Sequence, residues 1–125
     1  MTKKAIRPND LPQPAGPLSL AIEQGGVLYV SGQVGLDPQT QALIAGGVQA
    51  QTEQVFRNLQ SVLAAAGKDL SDVARMGVYL TNMSDFGLMN EVYARIVPQP
   101  FPARTTIGVA ALPLGAAVEI DCVAN

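Results

Sequence analysis

Between Val48 and Ala66 the apolar positions Val48, Val55, Phe56, Leu59, Val62, Leu63 and Ala66 recur at helical spacing, and Gly67 stands where a C-terminal cap belongs. This predicts a first helix. A second is predicted from Ser84 as N-cap, with Asp85 in its first turn and a stripe of Phe86, Met89, Val92, Tyr93 and Ile96, ended by Pro98 and Pro100. Strand signals lie around these two stretches. LSLAIEQGGVLYVSGQV, Leu18 to Val34, holds two β-rich runs about Gly25-Gly26 and reads as a hairpin, apolar on both faces and so expected to be covered on both. Val73 to Leu80 reads as a strand. No third helix and no internal repeat is suggested.

The stretch FPARTTIGVAALPLGAAVEID, Phe101 to Asp121, contains one cation, Arg104, and two acids, Glu119 and Asp121. Leu112-Pro113-Leu114-Gly115 has Pro and Gly at the second and fourth positions, as a type I turn prefers, so the flanking runs are expected to pair antiparallel about it. In that register Thr105, Ile107, Val109, Val118, Ile120 and Cys122 form an apolar core face. Arg104, Thr106, Gly108, Glu119, Asp121 and Val123 share the other face. Glu119 then lies opposite Gly108, a gap of about 13 Å from Arg104 at about 3.3 Å per residue, which suits a pocket charged at two ends and excludes a cross-strand ion pair. Small residues around the arginine, Thr106, Gly108, Ala110 and Ala117, leave room for a ligand, and a guanidinium is a ready fork for a carboxylate.

Composition narrows the chemistry. The 125 residues match one compact domain without a linker, and 14% charged residues beside 48% hydrophobic ones leave too little charge to cover a small domain's surface, so self-association is expected. The net charge of -2, with eight scattered Lys and Arg, argues against nucleic acid as a partner. No stretch approaches the about 20 apolar residues of a membrane span, and the N-terminus has no apolar segment of signal-peptide type, so a cytoplasmic location is expected. With no histidine and a single cysteine, Cys122, an internal disulfide, a His-based triad and a zinc site of the usual ligands are excluded. Cys122 falls on the core face and reads as a small buried apolar group.

Four stretches together resemble the Rid/YjgF family of reactive-intermediate deaminases. VSGQV at Val30 to Val34 is similar to the family's SGQ strand end, AQTEQVFRNLQSVLAAAG to its first helix, DFGLMNEVY to its second, and FPART followed by VEID to its C-terminal signature. The resemblance covers most of the chain. It implies a single α+β domain over residues 1–125 of chorismate-mutase-like fold, a mixed β-sheet with two helices packed on one face, and a homotrimer with three clefts between subunits. It further implies cofactor-independent hydrolysis of 2-imino acids, such as 2-iminopropanoate and 2-iminobutanoate, to 2-keto acids and ammonia, with no metal.

Carried over residue by residue, Arg104 matches the family's substrate-carboxylate ligand and Glu119 the acid that handles the hydrolytic water. Ser31, Asn90 and Thr106 match pocket-lining positions. Two positions depart from the family pattern: Leu18, in AGPLSL, stands where a tyrosine is frequent, and Thr106 where cysteine is frequent. Both bear on substrate preference. Ser31 and Asn90 also have a local alternative, since such side chains commonly satisfy nearby backbone groups. The alternative function is a non-catalytic trimeric protein that binds a carboxylate metabolite and reports it to a partner; Glu119 would be dispensable there and would repel the ligand.

Overall fold

The computed structural model describes residues 2–125. Six strands form one mixed sheet: β1 (Lys4–Ile6), β2 (Ala21–Gln24), β3 (Val27–Val34), β4 (Val73–Leu80), β5 (Ala103–Gly108) and β6 (Val118–Ala124), in the order β1-β2-β3-β6-β4-β5. Every pairing is antiparallel except β4 with β5, which is parallel because α2 carries the chain from one to the other. Two helices, α1 (Gly47–Ala65) and α2 (Phe86–Ile96), pack together on one face. Among the described residues no helix is long and apolar enough to cross a membrane.

The helices follow their periodicity. The stripe of α1 buries Val55, Phe56, Leu59, Val62 and Leu63 completely, each such side chain contributing about 1.5–3 kcal/mol on leaving water. Its end is a Schellman motif: Lys68 N–H donates to the Leu63 carbonyl and Gly67 N–H to that of Ala64. The second helix starts differently from the expectation. Asn82, not Ser84, provides the cap, its Oδ1 accepting from the Ser84 N–H at 3.0 Å, and a single 3₁₀ turn (Met83–Asp85) precedes α2. The Gly25-Gly26 hairpin and the strand from Val73 to Leu80 form as their patterns predict, whereas β1 escapes the sequence reading. Coverage of the hairpin is one-sided in this chain. Leu28 and Val30 are buried, while Tyr29 is half exposed on the face away from the helices.

The largest correction concerns the C-terminal stretch. Residues 103–108 and 118–124 do not pair with each other, because β4 lies between them and takes both as neighbours. The connection is no type I hairpin turn: Leu114 and Gly115 both have positive φ, 60° and 72°. Sidedness changes with the partner. Arg104 and Cys122 both stand opposite the buried Met76, and Thr106 and Ile120 opposite the buried Val78, so Arg104 and Thr106 point to the helix side of the sheet. Thr105 and Ile107, expected in the core, are exposed on the open face together with Glu119 and Asp121. The expected common face of the arginine and the acids therefore does not exist within one chain.

Candidate functional site

The arginine corner is built by β5 and α2. Arg104 donates from Nη1 to the Oδ1 of Asn90 at 2.7 Å. Its guanidinium carbon sits 4.6 Å from the centroid of the Tyr93 ring and 5.6 Å from that of Phe86. Asn90 and Tyr93 are three residues apart on α2 and so share a helix face, one gripping an edge of the guanidinium and the other supporting its plane. Tyr93 is in turn held edge-on by Phe56 and tilted against Phe101. A cavity of about 460 Å³ opens here, lined by Asn90, Tyr93, Ala94, Phe101, Pro102 and Arg104. Asn90 thus serves the guanidinium and not a backbone group. The sequence marked Tyr93 only as part of the apolar stripe of α2; its position one helical turn beyond Asn90 was the available signal.

Two buried hydroxyls in this region, Tyr93 Oη and Thr106 Oγ1, have no hydrogen-bond partner among the described residues. Burial, opposed in part by the Arg104 charge, pushes the Tyr93 phenol above its usual range. Thr106 follows Arg104 on the same side of β5, but its hydroxyl does not line the cavity.

The open face carries the other candidates. Leu18 and Ser31 line a cleft of about 650 Å³ together with Tyr29, Arg75 and Asp121. Leu18 is exposed, and the Ser31 hydroxyl donates to the Ser19 carbonyl at 2.7 Å, which fulfils the local role expected of such a residue while leaving its lone pairs free. Cys122 is pushed up to about 12, first by burial and then by the Asp121 charge, and is no nucleophile at neutral pH.

Glu119 stands on this face opposite Tyr79, with its carboxylate over the α-carbon of Gly32; any Cβ on Gly32 would overlap its Oε2. Among the described residues no donor or cation engages the carboxylate. Burial first, and the negative charge of Asp121 second, raise Glu119 above the ordinary glutamate range. Asp121, which the sequence left unassigned, is by contrast firmly held: it accepts from Tyr79 Oη at 2.9 Å and from the Gly77 N–H at 3.1 Å.

The six candidates thus fall into two groups on opposite faces of one sheet, Arg104 with Asn90 and Thr106 on the helix side, Glu119 with Ser31 and Leu18 on the open side. Comparison with known proteins bears on what such an arrangement serves. The family model described as endoribonuclease L-PSP matches residues 8–125. The chain belongs to this family, the YjgF/Rid family. Among its relatives, protein DfrA of Myxococcus xanthus is 45% identical over 99% of this chain and 96% of its own length. The mouse 2-iminobutanoate/2-iminopropanoate deaminase is 42% identical over 98% of this chain and 90% of its own length. The crystal structure of RidA from an Antarctic Psychrobacter species superposes with a TM-score of 0.92 at 42% identity, covering 97% of this chain and 98% of that one. The mixed α+β architecture, with a six-stranded sheet and two helices, is that of these Rid-family structures.

Proposed function

We propose that this Rid-family chain hydrolyses reactive 2-imino acids, the class that includes 2-iminopropanoate and 2-iminobutanoate, to 2-keto acids and ammonia without a cofactor, in clefts shared between the subunits of a homotrimer. The observation that carries the reading is the Arg104 guanidinium, fixed by Asn90 and Tyr93 at the edge of a cavity and, among the described residues, in no ion pair with a carboxylate. Such a preset fork binds the carboxylate of an imino acid and leaves the adjacent C=N carbon to be attacked. Mouse and mite relatives named as 2-iminobutanoate/2-iminopropanoate deaminases support the substrate class.

Glu119 supplies the chemistry at the other end. Among the described residues its carboxylate has no donor, and its proton affinity is raised, as suits a general base. It takes a proton from water as the water oxygen bonds to the iminium carbon and the C=N π pair moves onto nitrogen. The proton passes from Glu119 to that nitrogen, and the C–N bond then breaks as the hydroxyl proton returns to Glu119 and from there to the departing ammonia, releasing the keto acid and ammonium and restoring the carboxylate. Positioning together with one general base, worth about 10²- to 10⁴-fold, accelerates a reaction that imines already undergo in water.

Because Arg104 and Glu119 project from opposite faces, one chain cannot close both on one substrate; Arg104 of one chain meets Glu119 of the next. The test is a complementation experiment using a coupled assay of iminopropanoate hydrolysis. Arg104→Ala and Glu119→Gln are each expected to lose about 10²-fold or more in turnover as homotrimers. Co-assembled in equal amounts, they regain about a quarter of the wild-type rate, since three-quarters of random trimers contain one of three clefts with both residues intact. Absence of any recovery in confirmed mixed trimers would place both residues in one chain's site. A wild-type protein that binds pyruvate but does not accelerate hydrolysis would turn the reading to a carboxylate-binding regulator.

A further inference from the structure

The open face holds a second carboxylate whose mounting is more elaborate than a surface aspartate requires. Asp121 and Glu119 alternate along β6 and so share one face, about 7 Å apart at the backbone. Tyr79, paired with Glu119 across β4 and β6, leans back along β4 so that its hydroxyl reaches Asp121 instead. The lean is possible only because position 77 is glycine: a Cβ there would lie 2.7 Å from Tyr79 Oη and would overlap Asp121 Oδ1. The Gly77 N–H supplies the second donor. Two residues of β4 thus fix one carboxylate of β6, while among the described residues its neighbour, Glu119, has no donor.

We propose that Asp121, clamped by Tyr79 and Gly77, is a positioning residue for Glu119: its immobilised negative charge keeps the neighbouring carboxylate ready to take a proton from water. The assignment rests on the role given to Glu119 above. The other titratable groups presented on this face are Tyr79 and Arg75 from β4, Tyr29 from β3 and Lys3 at the rim of the cleft, while β5 offers only Thr105 and Ile107. Arg75 lies toward the Asp121 end of β4, in the register of Val123 and four residues from Tyr79, the partner of Glu119. The Tyr79 phenol is pushed above its usual range, chiefly by its hydrogen bond to Asp121, so it remains a donor throughout the neutral range and does not itself titrate there. Among these groups Asp121 is the carboxylate that opposes ionisation of Glu119.

The experiment reads Glu119 directly. Its side-chain carboxyl carbon, assigned by the resonance missing in Glu119→Gln, is titrated by NMR in the wild type, Asp121→Asn and Asp121→Glu, with the pH profile of kcat/KM for iminopropanoate recorded alongside. Removal of the charge in Asp121→Asn should lower the Glu119 midpoint by about half a pH unit or more, while Asp121→Glu, which retains it, stays nearer the wild type. The acid limb of kcat/KM should move in the same direction, to lower pH. An unchanged Glu119 midpoint in folded Asp121→Asn overturns the proposal. A midpoint that moves equally in Asp121→Glu also overturns it, since shape and not charge would then be responsible. If the NMR midpoint moves as expected but no variant and no wild type turns over imine, the coupling of the two carboxylates stands and the hydrolytic reading falls.

Discussion

The arginine corner and the glutamate face of this sheet solve opposite problems. Arg104 is restrained on two sides before any ligand arrives, by a hydrogen bond to Asn90 and by the rings of Tyr93, itself in the core, and Phe86, packed against it. Glu119 is partly desolvated and, among the described residues, without a donor, whereas the neighbouring Asp121 takes the Tyr79 hydroxyl and the Gly77 N–H. A group that must recognise a fixed shape gains from being preset, because the ligand then does not have to order it. A group that must accept a proton gains from having no donor, because each donor would stabilise its ionised form and weaken it as a base. The two regions therefore differ in rigidity and in hydrogen bonding as the tasks proposed for them differ.

This contrast can be broken at either end. The largest effect is expected at Gly32, where Gly32→Ala puts a methyl group in the volume of the Glu119 carboxylate. Turnover should fall by about 10²-fold, the scale of a general base, while pyruvate binding measured by calorimetry persists. A normal rate in this variant would show that the carboxylate does not work from the position over Gly32. Next comes Asn90→Ala, which releases one edge of the guanidinium. Loss of a charge-assisted bond of about 1.5–3 kcal/mol that presets the fork should weaken pyruvate binding by about tenfold, with little change in melting temperature because Asn90 is partly exposed. Unaltered binding would mean that the aromatic platform alone positions Arg104.

The smallest effect sharpens the role of that platform. Tyr93→Phe keeps the ring under Arg104 and removes a buried hydroxyl that has no partner among the described residues. The protein should become more stable by up to about 1 kcal/mol, read as a raised melting temperature, and ligand binding should stay as it was. Destabilisation by Tyr93→Phe would reveal a partner for the hydroxyl.

Much of this molecule is written locally. The spacing of Val55, Phe56, Leu59, Val62 and Leu63 determines α1, the stripe from Phe86 to Ile96 determines α2, and Gly25-Gly26 determines the β2–β3 hairpin, since each depends on contacts a few residues apart. The identities of Arg104, Asn90, Ser31 and Glu119 as candidates were also legible, because the motifs that contain them are contiguous. What the sequence could not determine was the neighbour of each strand and hence the side to which each candidate points. Alternation along 103–108 and 118–124 specifies which residues share a face within each strand, yet it is silent on which of the two faces the helices will cover. That choice was made by β4, which draws β5 in parallel through α2 and β6 antiparallel on its other edge. Only then do Arg104 and Glu119 part to opposite sides of the sheet, for a side chain's direction follows from the partner that sets its strand's register and from the layer packed against it, both of them contacts between segments remote along the chain.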